Sequence, residues 1–225
     1  MNPFFRTLSI LIMLIAFVQA QETEPTNMVS SSSLQLDSQT DEERIQFLLN
    51  VASVYFQEKD FDSAASAYER VLKIDPQHEE ARYISAHVYI KTHQYKKAEA
   101  LLKSLIESNP EDFKLLNNLA WLYATAEDPG FRNGQKAIQC AQEAVAIEPN
   151  SHHVWSTLSE AYYISGEYEK AFRAINHMAS LAQRYGKGVT KEQVEEYNEQ
   201  IRKCKRAWDT QKMLSGEDPD DEVEK

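Results

Sequence analysis

Glycine and proline are scarce, with 6 and 7 among 225 residues, too few for the many turns of an all-β sandwich or barrel. Ala, Glu, Leu, Lys and Gln, all strong helix formers, are plentiful instead. Positive charge is short as well: 24 Lys+Arg against 35 Asp+Glu leave a net charge of -11. Such a chain offers no basic footprint to a polyanion, which argues against nucleic acid and anionic lipid headgroups as partners. There is no Gly-rich phosphate loop, HExxH or Ser/His/Asp order, so the reading is of a non-enzyme with no catalytic residue and no cofactor. His152 and His153 form the only histidine cluster. Neighbours on a helix point about 100° apart, so the pair cannot share one ion and no metal site is read. The two cysteines, Cys140 and Cys204, form no C-x-x-C. A full repeat lies between them, and a bridge needs Cα atoms within about 7 Å, so two packed thiols are expected rather than a disulfide.

Long apolar runs are confined to the N-terminus. Arg6 precedes an uncharged stretch over residues 7–18, followed by Val18-Gln19-Ala20 and a polar segment. This pattern reads as a cleavable secretory signal over residues 1–20, because spanning a bilayer takes about 20 apolar residues and the run stops short. No cysteine follows it to carry a lipid anchor. The expectation is an exported, soluble protein, periplasmic or secreted from a bacterium, with no integral membrane span after cleavage and a net charge of -12. Residues 21–42 are rich in Ser, Thr and Gln and read as a disordered linker. Residues 215–225 carry six acids and one base and read as an acidic disordered tail.

Between these ends the chain repeats itself. Pro76 and Pro110 lie 34 apart, and that offset also brings Ala52 onto Ala86, Tyr55 onto Tyr89, Phe61 onto Tyr95 and Ala64 onto Ala98. Third and fourth copies extend the columns with Ala120 and Ser159, Tyr123 and Tyr162, Ala137 and Ala171, and Pro149. Leu48, Val51, Ala52 and Tyr55 share one helical face, and Ala64, Tyr68 and Val71 share another, so each copy holds two helices. The alanines let helix axes approach closely, and each proline ends a second helix. The third copy carries five extra residues within 126–135. These read either as a tolerated surface loop or as a small protruding recognition loop presenting Phe131 and Arg132. From Thr190 a capping box opens another helix, whose stripe Val194, Tyr197, Ile201, Cys204 and Trp208 is expected to cover the end of the stack and leave Lys and Glu to water.

These columns resemble the tetratricopeptide repeat family. The third copy matches with Leu116, Leu119, Ala120, Tyr123, Ala137, Ala141, Ala144 and Pro149, and the fourth with Trp155, Leu158, Tyr162, Ala171, Ile175 and Met178. Arg82 and Ser85 depart from the pattern at two apolar places, which points to looser packing of the second copy. The resemblance implies an all-α fold, an α-solenoid of four helix-turn-helix units over residues 43–183 (about 45–78, 79–112, 113–151 and 152–183) plus a capping helix over residues 190–214. It further implies a concave groove lined by the first helix of each unit: Leu49, Ser53, Phe56; Tyr83, Ile84, His87, Ile90; Asn117, Asn118, Trp121, Ala124; and Ser156, Thr157, Glu160, Tyr163. The family's chaperone-binding members clamp a terminal carboxylate. Lys114 and Asn118 match part of that clamp, but Leu49, Ser53 and Ile84 replace the rest.

The expected function is therefore an exported scaffold that binds a protein or peptide in this groove, in envelope assembly or secretion. Two alternatives stand beside it: a self-associating structural protein of the envelope, which would be a homo-oligomer, and an accessory protein bound to glycan or peptidoglycan.

Overall fold

The computed structural model describes residues 40–185 and 190–218. The signal, most of the linker, the Gly186–Gly188 break and the end of the acidic tail lie outside them. Nine helices follow one another among the described residues: α1 (Asp41–Gln57), α2 (Phe61–Ile74), α3 (Glu79–Lys91), α4 (Tyr95–Ser108), α5 (Phe113–Thr125), α6 (Gly134–Ile147), α7 (His152–Ile164), α8 (Tyr168–Tyr185) and α9 (Lys191–Ser215). The chain divides at Arg44–Ile45, within α1, and the repeats belong to the unit that begins at Ile45.

The repeat columns explain the packing. Ala52, Ala64, Ala86, Ala98, Ala120, Ala137 and Ala171 are all fully buried, and the larger Leu102, Leu115, Leu122, Ile175 and Met178 fill the space between helices. One core cluster runs from Leu48 to Ala161, and a second gathers Ala171, Ile175, Met178, Ala182 and Cys204. Within the later repeats each first helix packs on its second, and each second helix packs on the first helix of the next repeat. The first helices α5 and α7 also meet directly.

Local chemistry sets the turns. The carbonyls of Tyr55, Tyr89, Tyr123 and Tyr162 accept hydrogen bonds from the backbone N–H groups of Asp60, Gln94, Asn133 and Glu167 at 2.8–3.0 Å. Lys59, His93 and Gly166 stand before the donor in three of these turns with φ of 62°, 58° and 77°, the left-handed conformation that suits glycine at a helix C-terminus. Asp60, Asp112 and Asn133 cap the helices that follow by accepting from backbone N–H groups.

The third turn shows how the insertion is absorbed. The chain leaves after α5, loops out, and returns to the same tyrosine carbonyl through Asn133. Gly134 occupies the place where the other units carry Phe61, Tyr95 and Tyr168, and Phe131 from the loop supplies the missing ring. It lies 5.5 Å from Tyr95 and 6.1 Å from Tyr123 between centroids. Arg132 Nε donates to the Ala126 carbonyl at 2.9 Å, and the Glu127 N–H donates to Tyr95 Oη at 3.0 Å. Phe131 is thus packed on the second repeat and not held out from a recognition loop, whereas Arg132 stays exposed.

Helix α9 packs on α8, with Cys204 buried and Tyr197, Ile201 and Trp208 half-buried. Thr190 and Gln193 form the expected capping box. Two details differ from the expectation. Val194 is 47% exposed, because its turn is not covered. Lys212 is only 6% exposed, with Nζ 4.6 Å from the Trp208 ring centroid, so this lysine is not left to water. Its aliphatic stem joins the packing while the charge meets an aromatic face. Cys140 and Cys204 are both free thiols, and burial holds both above the ordinary thiol range, Cys140 at about 11.

Candidate protein-binding groove

The first helices α1, α3, α5 and α7 carry every residue expected in the groove, and burial sorts them. Leu49, Ile90, Ala124 and Thr157 are buried, so their side chains contribute to the core; the Thr157 hydroxyl is bonded to the His153 carbonyl. Ser53 is exposed and accepts from Gln57. Phe56 is half-buried, with its ring 5.7 Å from Phe61 and 5.8 Å from His87, linking α1 to α3. Burial, with Lys91 adding to it, holds His87 below the ordinary histidine range, which keeps the ring neutral. Tyr83, Ile84, Asn117, Asn118 and Ser156 are half-buried, and Trp121 is 38% exposed.

At the C-terminal end the groove is occupied by α9. Lys203 Nζ lies 3.9 Å from the Tyr163 ring centroid and 3.1 Å from Glu160 Oε2. The one acid among the expected groove residues is therefore already paired.

Open space lies elsewhere along these helices, between α3, the end of α4 and the start of α5. A cleft of about 880 Å³ is lined there by Tyr83, Ile84, Leu105 and Leu115, with Glu79, Glu80 and Asp112 beside them. Arg82, one of the two departures in the second repeat, is among the residues that line it. Arg82 stands where the other copies have Leu48, Leu116 and Trp155, and instead of filling the core it donates to Gln77 at 3.0 Å and to Ser104 at 2.8 Å. Ser85 stands in a leucine place; it is fully buried and its hydroxyl has no hydrogen-bond partner. The acidic rim went unread in sequence because Glu79 and Glu80 occupy the first turn of α3 and Asp112 is the N-cap of α5, where acids are ordinary helix-start residues. Asn117 Oδ1, on α5, is also buried without a partner.

Between the repeats runs a ladder that the tyrosine column alone did not disclose. Tyr89 Oη and Lys97 Nζ both donate to Glu69, at 3.3 and 2.7 Å. Tyr123 Oη and Lys103 Nζ both donate to Glu99, at 2.6 and 2.7 Å. Lys97, Lys136 and Lys170, one sequence column, lie 5.2–5.6 Å from the ring centroids of Tyr89, Tyr123 and Tyr162. Burial and the adjacent Glu69 push Tyr89 up to about 12, and burial with the Glu99 hydrogen bond pushes Tyr123 higher still.

Among the described residues no helix is long and apolar enough to cross a membrane. No group of three or more His, Cys, Asp or Glu there is placed to hold a metal ion.

The comparisons with known proteins agree with this architecture. A family model described as tetratricopeptide repeat matches residues 55–122. Superkiller protein 3 of Schizosaccharomyces pombe is 25% identical over 124 residues, which is 54% of this chain but 9% of that protein's length. Among solved structures, MamA from Desulfovibrio magneticus RS-1 superposes with a TM-score of 0.56 at 22% identity, over 67% of this chain and 80% of that one. A thermophilic TPR protein of Thermus thermophilus gives 0.52 at 21% identity, over 72% and 91%. At such identities the structural likeness is one of fold. Four helical hairpins in register, the alanine, tyrosine and proline columns and the family match over residues 55–122 together give this chain the tetratricopeptide-repeat fold.

Proposed function

We propose that this chain is a scaffold whose groove of first helices binds an extended or helical segment of a partner protein, with an apolar anchor seated in the cleft between α3 and α5. The tetratricopeptide fold supports protein binding in general. The observation that carries the finer reading is the 880 Å³ cleft, apolar at Tyr83, Ile84, Leu105 and Leu115 and acidic at Glu79, Glu80 and Asp112. That combination fits a segment presenting an apolar side chain next to a basic one. Trp121 stays exposed on the same helix, and tryptophan is a frequent anchor of binding hot spots.

The N-terminal signal pattern supports export, and hence a role in envelope assembly or secretion. A photo-reactive residue in place of Trp121 in the native organism is expected to capture one protein partner. Trp121→Ala should then weaken that purified partner by at least ~1 kcal/mol, about fivefold in Kd, with helicity unchanged. Crosslinks formed only between copies of this chain would instead favour the self-associating reading, and unchanged affinity would remove the groove from the proposal.

A further inference from the structure

The inter-repeat ladder changes character at its last step. In the first two interfaces the tyrosine hydroxyl meets a carboxylate, Glu69 or Glu99, which also neutralises a lysine. In the third, Gln142 stands in the place of Glu69, and its Nε2 donates to Tyr162 Oη at 2.9 Å. Lys170, still over the Tyr162 ring, has no carboxylate across the interface and turns to Glu167 on its own repeat.

Beside this step a cleft of about 470 Å³ opens between the second helices α6 and α8, floored by α7. Its floor is Trp155, Leu158 and Tyr162. Trp155 is held by a hydrogen bond from Nε1 to the Pro149 carbonyl at 2.8 Å and by the His177 ring 4.3 Å away. One wall carries Lys170, Arg173 and His177, all exposed, following one another along α8. Among the described residues no carboxylate lines the cleft, in a chain whose net charge is -11. Lys170 and Arg173 themselves hold Glu167 and Glu169 in surface ion pairs. Such pairs cost little to exchange for an incoming carboxylate.

We propose that this cleft, on the side of the stack formed by the second helices, is a separate docking site for a short acidic segment of a partner protein. An apolar side chain of that segment seats on Trp155 and Leu158, and its carboxylates pair with Lys170, Arg173 and His177. The choice of an acidic protein segment rests on charge complementarity with the wall and on the apolar floor between the charges. A long polyanion would meet both features less well and would be repelled by the rest of the surface.

The test is fluorescence anisotropy of the whole protein with a short labelled peptide of Asp and Glu interrupted by leucines, alongside its Asn/Gln counterpart. The acidic peptide is expected to bind, more weakly as salt rises, and the neutral one to bind at least about tenfold more weakly. Arg173→Glu should weaken the acidic peptide by about tenfold. Gln142→Glu should weaken it too while leaving thermal stability intact, because the first interface already uses a glutamate, Glu69, in that place. Trp121→Ala should leave it unchanged, which separates this site from the groove of first helices. Equal binding of the neutral peptide, indifference to both charge substitutions, loss of binding in Trp121→Ala, or equal competition by single-stranded DNA would each overturn the proposal.

Discussion

Glu99 receives two hydrogen bonds, from Tyr123 and from Lys103, whereas Glu69 holds Lys97 at 2.7 Å and Tyr89 only at 3.3 Å. The short phenol bond to a carboxylate is the stronger of the two tyrosine contacts. Tyr123→Phe is therefore expected to destabilise the protein by ~1–2 kcal/mol and Tyr89→Phe by less, both read from thermal or urea unfolding. The titrating residues act in two separate pH windows. Burial lowers the native pKa of His87 below the ordinary 6.5, so on acidification the unfolded chain gains a proton before the native state does. Its contribution is whole above pH 6.5 and is lost as the pH falls through that value towards the native one. His152, lowered by burial and by His153, acts in the same direction. Glu69 and Glu99, held low by hydrogen bonds from Lys97 and Lys103, stabilise the fold above pH 4.5 and lose that contribution below it. His87→Phe keeps a ring against Phe56 but cannot titrate. It is expected to flatten the fall in Tm between pH 6.5 and 4.5 and to leave the steeper loss below 4.5 in place.

The third repeat shows how an element accommodates extra residues. Its glycine at position 134 is required by proximity: a Cβ there would lie 2.1 Å from Ser165 Oγ and 3.2 Å from Ser165 Cβ. Turning the hydroxyl aside would break its 2.8 Å bond to the Ala161 carbonyl. Gly134→Ala gains up to about 1 kcal/mol of helix propensity but incurs about 1–3 kcal/mol of overpacking, so a net loss of stability is expected. In a Ser165→Gly background the same substitution should be neutral or stabilising, and a double-mutant cycle of unfolding free energies would measure that coupling. Independent effects of the two substitutions would contradict the contact. The column of aromatic residues signalled a ring at this place, but only the folded loop shows that Phe131 provides it.

Across the molecule, stability comes from neighbouring units, since no helix pair hides its apolar faces alone. Helix α9 shields the last pair, where Cys204 packs with Ala171, Ile175, Met178 and Ala182. Ending the chain before Thr190 uncovers this cluster and is expected to lower Tm by at least 5 °C, roughly 2 kcal/mol, with increased binding of a hydrophobic dye. An unchanged melting curve would mean that α9 is not a cap. Charge is distributed unevenly along the same stack: the cleft between α3 and α5 has an acidic side, whereas the cleft between α6 and α8 has none. One chain thus carries two clefts of different charge lining despite its overall negative charge.

The helices and their pairing were legible in the sequence because the 34-residue offset repeats small and large side chains at fixed helical positions, and such local periodicity admits one way of burying them. The insertion and the departures at Arg82 and Ser85 were visible too, as breaks in that period. What tertiary structure decided was how each break is resolved, since this depends on contacts between residues far apart in the chain. Arg82 reaches Ser104 and lines a cleft, Phe131 crosses to Tyr95, and Lys203 closes over Glu160 and Tyr163. The proposed groove rests on the family resemblance, which assigns it to the first helix of each unit. Its open and closed portions followed from side chains that only the packed stack brings together.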